Sequence, residues 1–215
     1  MERDPKAFEA IAKLQAAVRK VLTAKYGPEP YIVQVDLKFP DTMPDFATAG
    51  ADGTLLYQMA PAALVPYGVF YFLELVHDWK SGAFHRMAGH VLQATVRGSG
   101  HSGLAFQEYH PDWPHVKYTL GYAGRPGGPA FYISLVDNTR NHGPGSQHKG
   151  TTEADTCFGK IIGAESERVV QRMKNQPGAA KPMGFVSPPS NYIDIKSIRL
   201  LRGPESQAAL VSAGL

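Results

Sequence analysis

Residues 53–75, GTLLYQMAPAALVPYGVFYFLEL, contain the two kinds of secondary structure from which the rest of the fold can be inferred. The segment 54–59 is short and largely apolar, which is typical of a strand. Pro66 then opens a helix, because proline is accommodated in the first helical turn, and the apolar residues of that helix lie within 69–76. A strand followed closely by an apolar helix predicts a sheet on which a helix packs.

Strand periodicity recurs on both sides of this stretch. Residues 31–39, YIVQVDLKF, alternate between two sets of side chains with the period of two that a strand requires. Further strands are predicted over 83–87, 91–96, 117–122, 130–136, 156–162 and 192–201, with a second helix over 166–174. Many short strands with two well-separated helices predict a mainly β fold, a closed or nearly closed barrel with helices covering its ends.

The N-terminal segment 1–27 is predicted to be a basic amphipathic helix. Asp4 and Pro5 supply an N-cap and a first-turn proline, Gly27 supplies the stop, and apolar residues recur at steps of three and four between Phe8 and Leu22. The segment lacks the continuous apolar region and the small-residue cleavage site of a secretory signal. Two interpretations stay open: the helix packs on its own domain, or it docks onto a partner or an anionic surface.

Composition excludes several classes of protein. With 43% hydrophobic residues, 22 Gly and 17 Pro among 215 residues, the chain can build a substantial β-rich core. Its longest apolar run is shorter than the roughly 18 residues of a membrane span, so a soluble protein without a transmembrane segment is expected. Residues 1–26 hold six basic and three acidic side chains and the remainder is neutral, so specific nucleic-acid binding is not expected.

Cysteine and histidine usage bounds the chemistry further. The single cysteine, Cys157, excludes an internal disulfide and is expected to be a small core residue, which permits a reducing compartment such as the cytoplasm or an organelle matrix or stroma. The compartment itself stays open. The eight histidines lack the spacing of known zinc motifs, so no metal site is predicted.

At this point the order of the motifs resembles the cyclophilins, a family of barrel-shaped peptidyl-prolyl cis-trans isomerases. The resemblance spans residues 31–201 and is carried by five segments: 53–75, then Phe84-His85-Arg86 with Gly89 and Gln93, then Ala123-Gly124, then Phe131-Tyr132-Ile133, and finally Phe158-Gly159-Lys160-Ile161-Ile162. The resemblance implies a cyclophilin-like closed antiparallel barrel capped by two helices over 28–203. The N-terminal helix 1–27 precedes it and a C-terminal tail, 204–215, follows it.

The resemblance also implies a mechanism and a site. Rotation about an amide has a barrier of about 18–20 kcal/mol, which a catalyst lowers by binding the twisted bond more tightly than either planar form. In cyclophilins an arginine donates toward the prolyl nitrogen, a glutamine holds the peptide backbone, and no nucleophile, metal or cofactor takes part. Arg86 matches the arginine and Gln93 the glutamine. The substrate-binding positions fall on the following residues: His90, Val91, Gly121, Ala130 and Tyr132.

The pocket departs from the family pattern. His90 and Val91 stand where the family carries Phe and Met, and the family's Trp-Leu pair and its histidine have no counterpart. Asp155 occupies the approximate place of that histidine. The chain between Tyr132 and Phe158 is about ten residues longer than usual, with NHGPGSQHKG in the excess. Loss of apolar contact at His90 and Val91 is expected to weaken proline binding by roughly ten- to a hundredfold.

Two functions therefore stay open. The first is a non-catalytic structural or adaptor subunit of a larger assembly with a degenerate proline-binding site, docked through the N-terminal helix, the 141–152 loop and the C-terminal tail. The second is a weak or client-specific isomerase that uses Arg86 and Gln93. The predicted partners are protein partners in the first case and proline-containing peptides in the second.

Overall fold

The computed structural model of the chain describes residues 5–146, 153–180 and 182–215. The predicted N-cap Asp4, and residues 147–152 of the predicted docking loop, lie outside this range. The helices are α1 (Pro5–Tyr26), α2 (Phe46–Ala49), α3 (Pro66–His77), α4 (Thr139–His142), α5 (Ala164–Met173) and α6 (Pro204–Ser212). The strands are β1 (Ile32–Lys38), β2 (Asp52–Met59), β3 (Ser81–Met87), β4 (Val91–Arg97), β5 (Thr119–Tyr122), β6 (Phe131–Ser134), β7 (Cys157–Ile162), β8 (Ala179–Ala180), β9 (Phe185–Val186) and β10 (Ile193–Leu201).

Eight of these strands close into an antiparallel barrel, as predicted. The strand order is β10-β1-β2-β7-β5-β6-β4-β3, and pairing of Ile193 with Phe84 joins the last strand back to the first. The short β8–β9 hairpin extends the sheet beside β3. Closure leaves neither β10 nor β3 with an unpaired edge where they meet, which satisfies backbone groups that an open sheet would expose.

Aromatic side chains fill the interior of the barrel and pack against helix α3. Phe72 of α3 packs against Phe131 and Phe158 with ring centroids 5.5 and 4.6 Å apart. Tyr122 stacks on Phe158 at 4.2 Å. All four rings are at most 1% exposed, so the apolar helix that the sequence predicts is apolar because it faces the interior of the barrel. Among the described residues, no helix is both long and apolar enough to cross a membrane.

A buried glutamate provides the N-terminal cap of α3. Val65 at the N-cap has no side-chain oxygen to offer, and the Glu108 carboxylate instead accepts a hydrogen bond of 2.6 Å from the Gly68 amide. Gln15 of α1 donates to the other oxygen at 2.8 Å. Burial raises the pKa of Glu108 above its usual value, against these hydrogen bonds. The cap therefore joins α1, α3 and the 104–110 segment through one side chain.

Helix α1 packs on its own domain, in agreement with the first interpretation of its sequence pattern. Val18, Leu22 and Tyr26 are buried in the main core against α3. Lys25 and the Tyr26 hydroxyl both bond to Glu74 of α3. The same helix keeps a second surface exposed, including Leu14 and Val21.

The C-terminal segment forms a helix that the sequence did not predict. Ala209 of α6 packs on the outside of the barrel against Ile32, Ile162 and Leu201, which make a small second core. The helix begins at Pro204, directly after Gly203, and proline is favourable in the first turn of a helix. Its apolar pattern is short and Ala-rich, so periodicity alone did not distinguish it from a loop.

We predict that, of the adjacent residues Val21 and Leu22 in α1, only Leu22 contributes strongly to the stability of the barrel. Leu22→Ala removes a fully buried side chain and should lower the free energy of unfolding by about 3 kcal/mol. Val21→Ala, on a side chain that is 46% exposed, should change it by less than about 0.5 kcal/mol. Urea unfolding of the full chain followed by far-UV circular dichroism measures both, and equal effects would mean that α1 is not anchored as described.

Candidate functional site

Arg86 and Gln93 lie side by side on neighbouring strands, as the resemblance implies. They are paired across β3 and β4, just after a register shift between Phe84 and Arg86. The Arg86 Nη1 donates to the Gln93 Oε1 at 2.9 Å. This contact orients the guanidinium and gives the glutamine amide a fixed direction, so the two residues form one polar unit at the barrel surface.

The other side of Arg86 is bound by the segment that leads into β9. Its Nε donates to the carbonyl oxygen of Met183 at 2.7 Å, and its guanidinium carbon lies 5.1 Å from the centre of the Phe185 ring. The Met87 amide donates to the Gly184 carbonyl at 2.7 Å. Arg86 is therefore held at three points: by Gln93, by a backbone carbonyl and by an aromatic ring.

Two of the predicted substrate-binding residues, Gly121 and Tyr132, pair across β5 and β6. A Cβ atom at position 121 would overlap the Tyr132 hydroxyl, so glycine is required there for the ring to lie flat against β5. Tyr132 is only 2% exposed. Ala130 is half-buried immediately before β6, where its carbonyl accepts from the Ala123 amide. The predicted positions Gly121 and Tyr132 thus meet, with Tyr132 occupying the space above the glycine.

The Tyr132 hydroxyl is bound by a buried carboxylate. It donates to Asp155 Oδ2 at 2.9 Å, and His142 Nδ1 contacts the same oxygen at 2.7 Å. Arg125 Nε donates to the other oxygen, Oδ1, at 2.6 Å. The side chains of Arg125 and Asp155 are 6% and 4% exposed. We call these four residues, together with His115, the Asp155 cluster.

The charge on Asp155 is stabilised by its neighbours. Burial opposes ionisation, but the hydrogen bonds and charges of His142 and Arg125 outweigh it and hold the pKa of Asp155 below its usual value. The same burial, with the adjacent carboxylate, raises the pKa of Tyr132 well above its usual value. Asp155 is therefore the ionised acceptor and Tyr132 a neutral donor at neutral pH.

His115 completes the cluster in its neutral form. It is fully buried, and burial lowers its pKa to about 4 in spite of the neighbouring Asp155. Its Nε2 lies 2.9 Å from the Asp155 carbonyl oxygen, so the ring proton is on Nε2 and Nδ1 faces the Tyr132 hydroxyl at 3.4 Å. The tautomer follows from the acceptor, because a carbonyl cannot donate.

His90 and Val91 lie beside this cluster. The His90 ring stacks on His142 with centroids 5.5 Å apart, and His142 in turn lies 4.7 Å from the Tyr132 ring. The Nδ1 of His90 is 3.0 Å from the Ala88 carbonyl oxygen. Val91 is buried, 3% exposed, in β4. Where the resemblance implies an apolar surface for a proline ring, the chain has a row of three polar aromatic rings.

Arg125, His115 and His142 were not among the predicted site residues. For the two histidines, the only signal in the sequence was the presence of eight histidines without metal spacing. For Asp155, the signal was its place near the missing family histidine. His142 lies in the extra segment after Tyr132, for which the family pattern has no counterpart. Within the described residues, no group of three or more His, Cys, Asp or Glu side chains is arranged to hold a metal ion. Burial raises the pKa of Cys157 to about 12, which fits a core thiol.

Comparison with known proteins agrees on the fold. No family model matches the sequence, and no curated protein matches it. The structure is similar to that of a cyclophilin-type peptidyl-prolyl cis-trans isomerase of Cryptosporidium parvum, with a TM-score of 0.56 and 17% identity over 82% of this chain and 100% of that one. A second structure of the isomerase, obtained in the presence of the dipeptide Ala-Pro, has a TM-score of 0.52 and 17% identity over 80% of this chain and 99% of that one. The chain thus has the cyclophilin fold at low sequence identity.

We predict that Asp155→Asn destabilises the protein by about 3 kcal/mol at neutral pH, because Arg125 and His142 would lose the charge they surround. An acid whose pKa is lowered by folding stabilises the fold above its usual pKa of 3.8, and that stabilisation is lost as the pH falls below it. The difference between wild type and variant should therefore shrink in acid. Denaturant unfolding at neutral pH and below 3.8 measures it.

The exposed Asp112, 77% accessible, provides the control. Asp112→Asn should leave stability unchanged at both pH values. An Asp155→Asn protein as stable as the wild type at neutral pH would show that the cluster is not held together by the carboxylate.

Proposed function

We propose that this chain is a cyclophilin-fold structural or adaptor subunit of a larger protein assembly, with a degenerate proline-binding site. The observation that carries the proposal is the bond from Tyr132 to Asp155. It fixes the phenol ring against Gly121 and keeps a buried charge next to Tyr132, one of the predicted substrate-binding residues. The site and not the fold supports the proposal, since the same fold can serve several roles.

The chemistry of a proline ring supports this proposal. The ring offers only C–H groups, so its binding depends on the apolar area that it buries. His90 and His142 present polar rings at this position, and Tyr132 is tied to the carboxylate below it. A substrate proline would have to desolvate these rings without forming hydrogen bonds to them, which reduces its affinity.

The isomerase remains the alternative function, and one observation favours it. Arg86 and Gln93, which match the cyclophilin arginine and glutamine, lie side by side with 2.9 Å between Nη1 and Oε1. An arginine that donates toward the prolyl nitrogen stabilises the twisted amide, in which the nitrogen lone pair is released from conjugation. Ala-Pro, the dipeptide in whose presence one of the similar structures was obtained, is therefore the natural first substrate fragment to test.

The deciding experiment is NMR exchange spectroscopy of an Ala-Pro peptide with the full chain, using Arg86→Ala as the control. The proposal predicts no faster cis–trans exchange in the presence of the wild type at high protein concentration. Acceleration that Arg86→Ala abolishes would refute it and establish the isomerase. Acceleration that survives in Arg86→Ala would point to a contaminating isomerase, which repurification removes before the comparison is repeated.

We also predict that the pocket can be converted toward proline binding. The double variant His90→Phe, Val91→Met restores the apolar side chains of the cyclophilin pattern and should strengthen Ala-Pro binding by roughly ten- to a hundredfold. Chemical-shift titration measures it, with His110→Phe, a histidine outside the pocket, as the matched control. Unchanged binding in the double variant would mean that the Asp155 cluster, and not these two side chains, closes the pocket.

A further inference from the structure

Helix α1 has a second apolar face, which points away from the barrel. Ala10, Leu14, Ala17, Val21 and Ala24 follow one another at steps of four, three, four and three residues. All five are exposed, with Leu14 at 43% and Val21 at 46%. This is the a/d spacing of a helix that pairs with another helix, and we call the five residues the α1 seam.

The seam is separate from the face that anchors the helix. Val18, Leu22 and Tyr26 are buried against α3 and the core, and they lie about a third of a turn around the helix from the seam. A helix that only covered its own domain would need the buried face alone. The alternation of alanine with Leu14 and Val21 lets a partner backbone approach closely while two larger side chains enter its grooves.

Lysines follow one edge of the seam at the heptad interval. Lys6, Lys13 and Lys20 are spaced seven residues apart and occupy the g positions, next to the a/d residues. Lys13 pairs with Glu9 of its own helix at 2.6 Å, but both side chains are about 70% exposed, so the pair remains in solvent and contributes little. The opposite edge carries Ile11 and Val18 and turns toward the domain itself.

We propose that the α1 seam binds an amphipathic helix of another protein that carries acidic residues opposite Lys13 and Lys20. The inference rests on the proposed adaptor function. A second copy of this chain fits poorly: an antiparallel pair would set lysine against lysine, and a parallel pair would direct the lysines toward the edge that faces α3. Charge complementarity thus selects an acidic helix of a different chain.

The helix is already formed, so the partner need not stabilise it. Leu22 is fully buried, and Lys25 and Tyr26 bond to Glu74. An isolated helical pair of two heptads is too short to be stable, because helix formation has a high nucleation cost. Anchoring on α3 removes that cost for one of the two partners, so a seam of this length is sufficient for binding.

The test is a titration of the full-length protein against two labelled peptides, followed by fluorescence anisotropy. Each peptide has about four heptads with Leu at a and Ala at d. One carries Glu at positions e and g and the other carries Lys there. We expect the Glu peptide to bind roughly tenfold more tightly than the Lys peptide. Lys13→Glu with Lys20→Glu should reverse the preference.

Two controls keep the result specific. Arg19→Glu with Lys38→Glu changes the net charge by the same amount at exposed positions outside the seam, and it should leave the preference for the Glu peptide in place. Leu14→Gln with Val21→Gln should abolish binding of both peptides without changing the unfolding midpoint by more than the Val21→Ala variant does. A variant that unfolds would be recognised by circular dichroism before the titration.

Several outcomes would overturn the proposal. These are no binding of the Glu peptide, equal binding of both peptides, dimerisation of the protein that Leu14→Gln with Val21→Gln abolishes, or seam-dependent binding to phosphatidylserine vesicles in place of the peptide. The titration reports on α1 and the exchange experiment reports on Arg86. Failure of the seam therefore leaves the result for the proline pocket unchanged, and the reverse also holds.

Discussion

The buried carboxylate of Asp155 is the interaction on which the candidate site depends. A charge with 4% exposure is tolerated only when it is paired and hydrogen-bonded, and here Arg125, Tyr132 and His142 supply the donors. The donors come from the turn after β5, from β6 and from α4, so one side chain fixes three separate elements. His115 is neutral because its pKa lies near 4, and its Nε2 donates to the backbone carbonyl of Asp155.

This network separates two properties that act together in an isomerase. Arg86 and Gln93, which would act on the amide, form a separate unit: their hydrogen bonds run to each other and to the Met183 carbonyl oxygen. His90 and Tyr132, at two of the predicted substrate-binding positions, are polar and lie against His142. Transition-state stabilisation needs both properties, because a group that donates to the prolyl nitrogen acts only on a substrate that is held beneath it. The fold is compatible with both functions, and the proposal of an adaptor rests on the polar side chains beside Tyr132.

The sequence predicted the barrel because each strand carries its own local signal. Residues 31–39 alternate, residues 54–59 are apolar, and both become paired strands, β1 and β2. The Asp155 cluster had no such signal, since Arg125, His142 and Asp155 are brought together only by closure of the barrel and by a segment without a family counterpart. Helix α6 was missed for a different reason: its contact with the barrel is made by Ala209, with Leu210 and Ala213 beside it, and so short a set gives almost no periodicity.

The excess positive charge of the chain is concentrated in its N-terminal segment. The net charge of +3 comes entirely from residues 1–26, while the remaining chain is balanced. A helix that served only to cover the core would gain nothing from this bias, because Leu22 and Val18 already provide the packing energy. The α1 seam and the lysines beside it instead meet both requirements of selective helix pairing. The apolar seam would provide affinity, and the lysines would repel partners that carry positive charge at the facing positions. Since the same helix is anchored to α3 through Glu74, a helix bound at the seam would be held rigidly to the barrel.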